Sequence, residues 1–118
     1  MPHPEIVSYL PLSPAVFHVM VSLADGSRHG YAIIKDVAER TGGAERLGAG
    51  TLYAIIKRLL SDDLIVEIES DAADTGGDQR RRYYRLTPLG RKVATAEAER
   101  LERAVASARS SRLLPTRS

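Results

Sequence analysis

Apolar residues recur at helical spacing in four stretches of the chain and at a period of two on either side of one polar loop. In the segment from about Gly48, Leu52, Ile55, Ile56, Leu59 and Leu60 fall on one continuous stripe. That stripe predicts a core face. The other side of the same helix then carries Gly50, Thr51, Tyr53, Ala54, Lys57 and Arg58, a set of hydroxyls, a phenol and two cations around small residues. Such a face suits the DNA major groove.

Earlier in the chain, residues 1–12 hold Pro2, Pro4 and Pro11 around a short apolar piece and read as an irregular arm. Ser13-Pro14 is a cap followed by a proline at the first helical position, where no N–H is needed. The helix it opens should run to about Ala24 on the stripe Val16, Val19, Met20 and Leu23. Phe17 and Val21 are apolar off that stripe and point to a subunit contact. Asp25-Gly26 is a turn signal. A second helix follows from about Tyr31, with Ile33, Ile34, Val37 and Ala38 inward, and Gly42-Gly43 ends it. Two helices joined by a short Gly-containing turn form the helix-turn-helix pattern.

After the third helix, Leu64, Val66 and Ile68 alternate with Ile65, Glu67 and Glu69, which predicts a half-buried strand. A return strand sets Tyr84 and Leu86 inward against Arg81, Tyr83 and Arg85 outward, and the polar loop Asp71 to Gln79 with Gly76-Gly77 is the wing tip. Thr87-Pro88 repeats the cap-plus-proline signal. Ala94, Ala98, Leu101, Val105 and Ala108 then step by four and three residues, a heptad seam. Three of these five are Ala, so the seam is narrow and needs help from the first helix or the arm to hold a dimer.

The predicted fold is mainly α with a small β-hairpin. It comprises an arm over residues 1–12, a winged helix-turn-helix over 13–87, a dimerisation helix over 88–112 and a frayed tail over 113–118.

At 118 residues and 43% hydrophobic content the chain forms one domain. The net charge of +2 hides a segregation. Residues 61–78 carry seven acids and no base, whereas residues 80–92 carry Arg80, Arg81, Arg82, Arg85, Arg91 and Lys92 and no acid. An anionic partner meets a concentrated basic patch. Arg85 is expected to pair across the hairpin with Glu67 or Glu69, leaving the arginines nearer the tip unpaired. Tyr53 is placed at the surface because its neighbours already define the buried face, Tyr83 and Tyr84 in sheet packing, and Gly30 and Tyr31 between the second and third helices.

The absence of Cys excludes disulfides and thiolate metal sites. No apolar run approaches the roughly 20 residues of a membrane span, and the N-terminus lacks a basic region followed by an apolar one, so a cytoplasmic, nucleoid-associated protein is expected. With 5% aromatic residues and no Trp, duplex binding fits better than stacking on single strands. His3, His18 and His29 are far apart in sequence. No nucleophile, base and orienting group can be assembled, so no enzyme, metal or cofactor is expected. Gly48-Ala49-Gly50-Thr51 lacks the Gly-Lys-Ser/Thr ending of a nucleotide loop and suits a helix start meeting a DNA phosphate.

Four pieces of sequence together resemble the PadR family of bacterial transcriptional regulators: His29-Gly30-Tyr31, Gly50-Thr51-Leu52-Tyr53, Leu59 with Leu64-Ile65, and Arg82-Tyr83-Tyr84-Arg85-Leu86-Thr87-Pro88-Leu89-Gly90. The resemblance covers about residues 13–105 and is to the short, single-domain branch. It implies a homodimer on a palindromic operator, usually as a repressor, with the third helix in the major groove and the wings on flanking backbone. Ala54 stands where many relatives have Pro, and Asp63 where relatives commonly have Gly. Relatives that bind a planar effector hold it at the dimer interface, in some cases against a Trp, which this chain lacks.

The expected DNA contacts are Gly50, Thr51, Tyr53, Lys57 and Arg58 on the third helix and Arg80, Arg81 and Arg82 on the wing. The expected dimer contacts are Phe17, Val21, Ala94, Ala98, Leu101 and Val105. The competing reading is a winged helix used for protein association, with no operator.

Overall fold

The computed structural model describes residues 4–69 and 82–116. Among these are five helices and three strands. They are α1 (Pro4–Ser8), α2 (Pro14–Ser22), β1 (Arg28–His29), α3 (Gly30–Arg40), α4 (Ala49–Ser61), β2 (Ile65–Glu69), β3 (Arg82–Leu86) and α5 (Pro88–Ser110). The strands form an antiparallel sheet in the order β1-β3-β2. The wing-tip loop expected over Asp71 to Gln79, together with Arg80 and Arg81, lies outside the described residues.

Both cap-plus-proline signals hold. Ser13 Oγ accepts from the Val16 N–H at 3.3 Å, and Thr87 Oγ1 accepts from the Gly90 N–H at 2.9 Å. Helix α2 stops at Ser22, short of Ala24, because the Leu23 and Ala24 N–H groups turn back three residues to Met20 and Val21 and tighten the end. Carbonyls at and just beyond its end are taken by arginines: Arg28 Nε donates to Ser22 O and an Arg91 N–H to Ala24 O, both at 2.8 Å. Arg91 is therefore part of the scaffold, although it belongs to the basic run of the sequence.

The core gathers Val19, Met20 and Leu23 of α2, Ile33 and Val37 of α3, and Leu52, Ile56 and Leu59 of α4, closed by Ile65, Tyr84 and Val93. Gly42 and Gly43 take positive φ and end α3, with the Gly43 N–H returning to Ala38 O. At the end of α4 the corresponding position is Asp63, with φ 64°. The bend into the wing is thus the one a glycine would make, held by Leu64 N–H to Leu59 O at 2.9 Å.

That turn shifts the strand pattern by one residue. Leu64 is buried within the turn, so the alternation starts at Ile65, which lies opposite Leu86, with Glu67 opposite Tyr84 and Glu69 opposite Arg82. Val66 and Ile68 fall on the other face with Arg85 and Tyr83. Arg85 is consequently opposite Val66 and not a glutamate; Arg82 holds the place facing an acid.

Three further departures from the sequence reading concern the ends and the sheet. Residues 4–8, expected to be irregular, form α1, which packs along α5. Strand β1, two residues long, is too short to leave a periodic signal. The tail is not frayed over residues 111–116: the Leu113 N–H returns to Ala108 O, and Arg109 Nε holds Pro115 O at 2.9 Å.

The start of α5 is pressed onto the wing turn. Thr87 N–H donates to Leu64 O, Thr87 Oγ1 donates to Asp63 O at 2.6 Å, and a Cβ on Gly90 would collide with the Leu64 carbonyl. Further along, Glu97 is 1% exposed and its carboxylate is gripped by both Arg100 nitrogens at 2.8 Å. Arg100, with the Leu12 N–H in support, outweighs burial and holds the Glu97 carboxyl below the usual range.

Candidate nucleic-acid interface

Helix α4 divides cleanly by exposure. Leu52, Ile56 and Leu59 are buried, whereas Gly50, Thr51, Tyr53, Ala54, Lys57, Arg58 and Ser61 are exposed. At 100° per residue the middle of the outer face is Gly50, Ala54, Lys57 and Ser61. Its centre line is therefore low, with Lys57 standing out of it. A helix with small residues there can seat its backbone deep in a groove. Thr51 and Arg58 flank this line on one side and Tyr53 on the other.

The flanks are held differently. Arg58 Nε lies 3.9 Å from Asp62 one turn on, and its side chain borders a cavity of about 210 Å³ shared with Tyr9 and Ser13. Tyr53 is 52% exposed, as its surface assignment requires, but its hydroxyl rests against the start of α3: a Cβ on Gly30 would come within 2.5 Å of it. Gly30 therefore gives the close approach between α3 and α4 expected of it. Tyr31, expected to help fix the same packing, is instead 71% exposed. Helix α4 starts from Gly48 with no side-chain cap, so its first N–H groups are left to other acceptors.

On the wing side, Tyr84 is buried and burial pushes its phenol up, with Glu67 and Tyr53 adding to the rise; an Arg82 side-chain hydrogen bond opposes it. Arg82 itself is exposed. The Tyr83 ring meets His29 edge-on at 5.5 Å, so the sheet packing expected of both tyrosines is present. Arg80 and Arg81 lie outside the described residues.

Helix α3 is steadied from below. Asp36 pairs with Arg40 at 2.7 Å and with Arg28 at 3.6 Å, and Arg40 also reaches Asp25 at 2.7 Å. Burial works to raise the Asp36 carboxyl. It is outweighed by the two arginines and by the buried Ser22 hydroxyl, which faces it without full hydrogen-bond geometry, so the pKa ends lowered. Among the described residues no group of His, Asp and Glu could hold a metal ion, and no helix is long and apolar enough to cross a membrane.

Of the residues expected at a dimer contact, Phe17, Val21 and Ala94 are half-buried within the chain and Ala98 is exposed. Leu101 and Val105 are 37% and 43% exposed on the half of α5 that extends past the domain. Leu113 and Leu114, just past the end of α5, are exposed as well. The sequence reading left them in the tail; their signal was two adjacent leucines in an otherwise polar end.

Comparison with known proteins accounts for this arrangement. Residues 19–96 match the model of the transcriptional regulator PadR-like family. The chain belongs to that family. Members of that family are transcriptional regulators. It is 33% identical over 85 residues to the transcriptional regulator Rv3488 of Mycobacterium tuberculosis, covering 72% of this chain and 73% of that one. It spans 61% and 22% of the length of two other curated relatives. A PadR family transcription regulator from Clostridium difficile superposes with TM-score 0.71 and 28% identity, over 83% of this chain and 97% of that one. Bacillus subtilis PadR, solved in complex with operator DNA, superposes with TM-score 0.62 and 20% identity, over 77% of this chain and 48% of that one. The last likeness is one of fold.

Proposed function

We propose that this PadR-like regulator is a homodimer that binds duplex DNA sequence-specifically through α4 and represses transcription by occupying a palindromic operator. The observation that carries the reading is the outer face of α4. Every polar residue expected to touch DNA there is exposed, and the opposite side of the same helix is core. Occupation of operator DNA by a protein of this fold, Bacillus subtilis PadR, supports it.

Lys57, in the middle of the outer face, reads a base edge. Thr51 and Arg58 on one flank and Tyr53 on the other meet backbone, and the start of α4 offers N–H groups to a phosphate. The wings place Arg80, Arg81 and Arg82 on flanking phosphates. Two copies joined along Ala94, Ala98, Leu101 and Val105, with Phe17 and Val21 beside them, present two α4 helices to successive major grooves about 34 Å apart. A small-molecule effector at the dimer interface changes that separation and releases the operator.

The test is fluorescence anisotropy with a labelled duplex from the protein's own upstream region and a scrambled duplex, each at two salt concentrations. Preference for the upstream duplex that survives the higher salt is expected. Lys57→Ala should weaken that preference by about 1–3 kcal/mol. Equal loss on both duplexes would make Lys57 a phosphate contact. No duplex affinity would overturn the reading in favour of a winged helix used for protein association.

A further inference from the structure

We infer that the cavity between the N-terminal segment and the end of α4 is a small-molecule site for a primary amine carrying one apolar ring, and that a bound amine strengthens DNA binding by releasing Arg58. This rests on the DNA-binding reading above, which places Arg58 on the DNA backbone, and it adds a ligand site apart from the dimer interface. The cavity holds about 210 Å³. An apolar cavity of roughly 150 Å³ takes up benzene, so this one admits a ring with a short side arm.

Its walls divide into an apolar floor and a polar rim. Val16, Leu59 and Leu64 are buried and face the space from α2, α4 and the turn after α4. Tyr9, just past α1, borders it as well, and the rim reaches solvent at Ser13 and Arg58. A ring therefore exchanges water for aliphatic surface while its substituent stays at the mouth.

The charge preferred in that substituent follows from which rim groups are fixed. Asp62 is the C-cap of α4, its N–H bonded to Arg58 O at 3.0 Å, so its half-buried carboxylate stands at the negative end of the helix. That pole suits a cation. Its partner within the chain is Arg58, but the approach is 3.9 Å, beyond hydrogen-bond range, and the Arg58 side chain is 73% exposed. A carboxylate ligand would have to sit beside Asp62 and the helix end, neither of which can move. An ammonium meets only Arg58 as a like charge, and that side chain can swing away.

Displacement of Arg58 links the site to DNA. To reach a phosphate from the flank of α4, Arg58 must leave Asp62, and an ammonium in its place removes the attraction that holds it back. By linkage, DNA that draws Arg58 away raises the affinity for the amine by the same factor.

The probe is phenethylamine, with phenylacetate as its anionic counterpart and ammonium chloride as the ionic-strength control. Calorimetry on the DNA-free protein should show saturable amine binding with a dissociation constant on the order of 1 mM and no uptake of phenylacetate. Asp62→Asn should weaken the amine about 10-fold or more. Arg58→Ala should tighten it about 2- to 5-fold by removing the like charge. Circular dichroism checks that both variants fold. In anisotropy, saturating amine should strengthen binding to the upstream and the scrambled duplex alike by about 2- to 5-fold, and Arg58→Ala should abolish that gain. Absence of saturable amine binding, or binding that Asp62→Asn leaves unchanged, would overturn the site. Phenylacetate bound more tightly than the amine and lost in Arg58→Ala would overturn the amine assignment in favour of an anion site. Amine binding with no change in duplex affinity would overturn the coupling. Absence of duplex binding with or without amine would overturn the DNA reading and the coupling together, while calorimetry still decides the site.

Discussion

Two glycines differ in what surrounds them, and the difference decides what an added methyl group does. At Gly90 the obstacle is the Leu64 carbonyl, a backbone atom already bonded to the Thr87 N–H. Nothing flexible can yield there, so Gly90→Ala should cost about 3 kcal/mol, the upper end for overpacking, in urea unfolding. At Gly30 the obstacle is the end of the Tyr53 side chain, which can swing outward. Gly30→Ala should change stability by less than about 1 kcal/mol, since Ala is the better helix former. It should nonetheless weaken DNA binding measured by anisotropy, because Tyr53 loses its seat. Asp63 supplies the third residue-scale case. Its φ of 64° costs a side chain about 1 kcal/mol or more. Asp63→Gly is expected to leave the thermal midpoint unchanged or raise it, and Asp63→Val to lower stability by about 1–2 kcal/mol.

Helix α5 has a packed half and an exposed half, and Glu97 lies near where they meet. The carboxylate is covered by its neighbours, bound by Arg100 and held at a lowered pKa, chiefly by that guanidinium. Its contribution to stability is therefore complete above the ordinary Glu value and is lost as pH falls through the lowered one. Asp36, also lowered, adds a second loss of the same sign. Urea midpoints should fall progressively below about pH 4.5, and Glu97→Gln should flatten that fall while costing about 1 kcal/mol at neutral pH, given Arg100's exposure. At this scale the sequence was most legible where a local rule operates: Ser13-Pro14, Thr87-Pro88, Gly42-Gly43 and the stripe of α4 each name their own partner or face. It was least legible where the partner is remote. Glu97 looks like any surface glutamate of a polar helix until Leu12 and Arg100 close over it. Arg91 looks like part of the basic patch until Ala24 takes it, and Tyr31 looks like packing until Tyr53 occupies the space against Gly30. The start of β2 slipped by one residue because the turn at Asp63 absorbed Leu64.

The molecule measures 56 × 34 × 26 Å, and α5 contributes much of its length. Past Arg100, residues 101–107 are all exposed, leaving Leu101 and Val105 bare. Val105→Glu should therefore leave each protomer folded while raising the dimer dissociation constant about 100-fold, read by light scattering after gel filtration. Operator affinity should fall with it. The junction at Thr87 and Gly90 carries a further consequence. Thr87 is bonded to both Asp63 and Leu64, Gly90 lies flush on the same carbonyl, and Arg91 ties α5 to α2, so the protomer has no joint between its reading head and its handle. In the dimer proposed above, the distance between two reading heads is then a function of one variable, the angle at which two handles cross. On that proposal, repacking a few side chains on α5 would retune the protein to a differently spaced operator, with the reading head untouched.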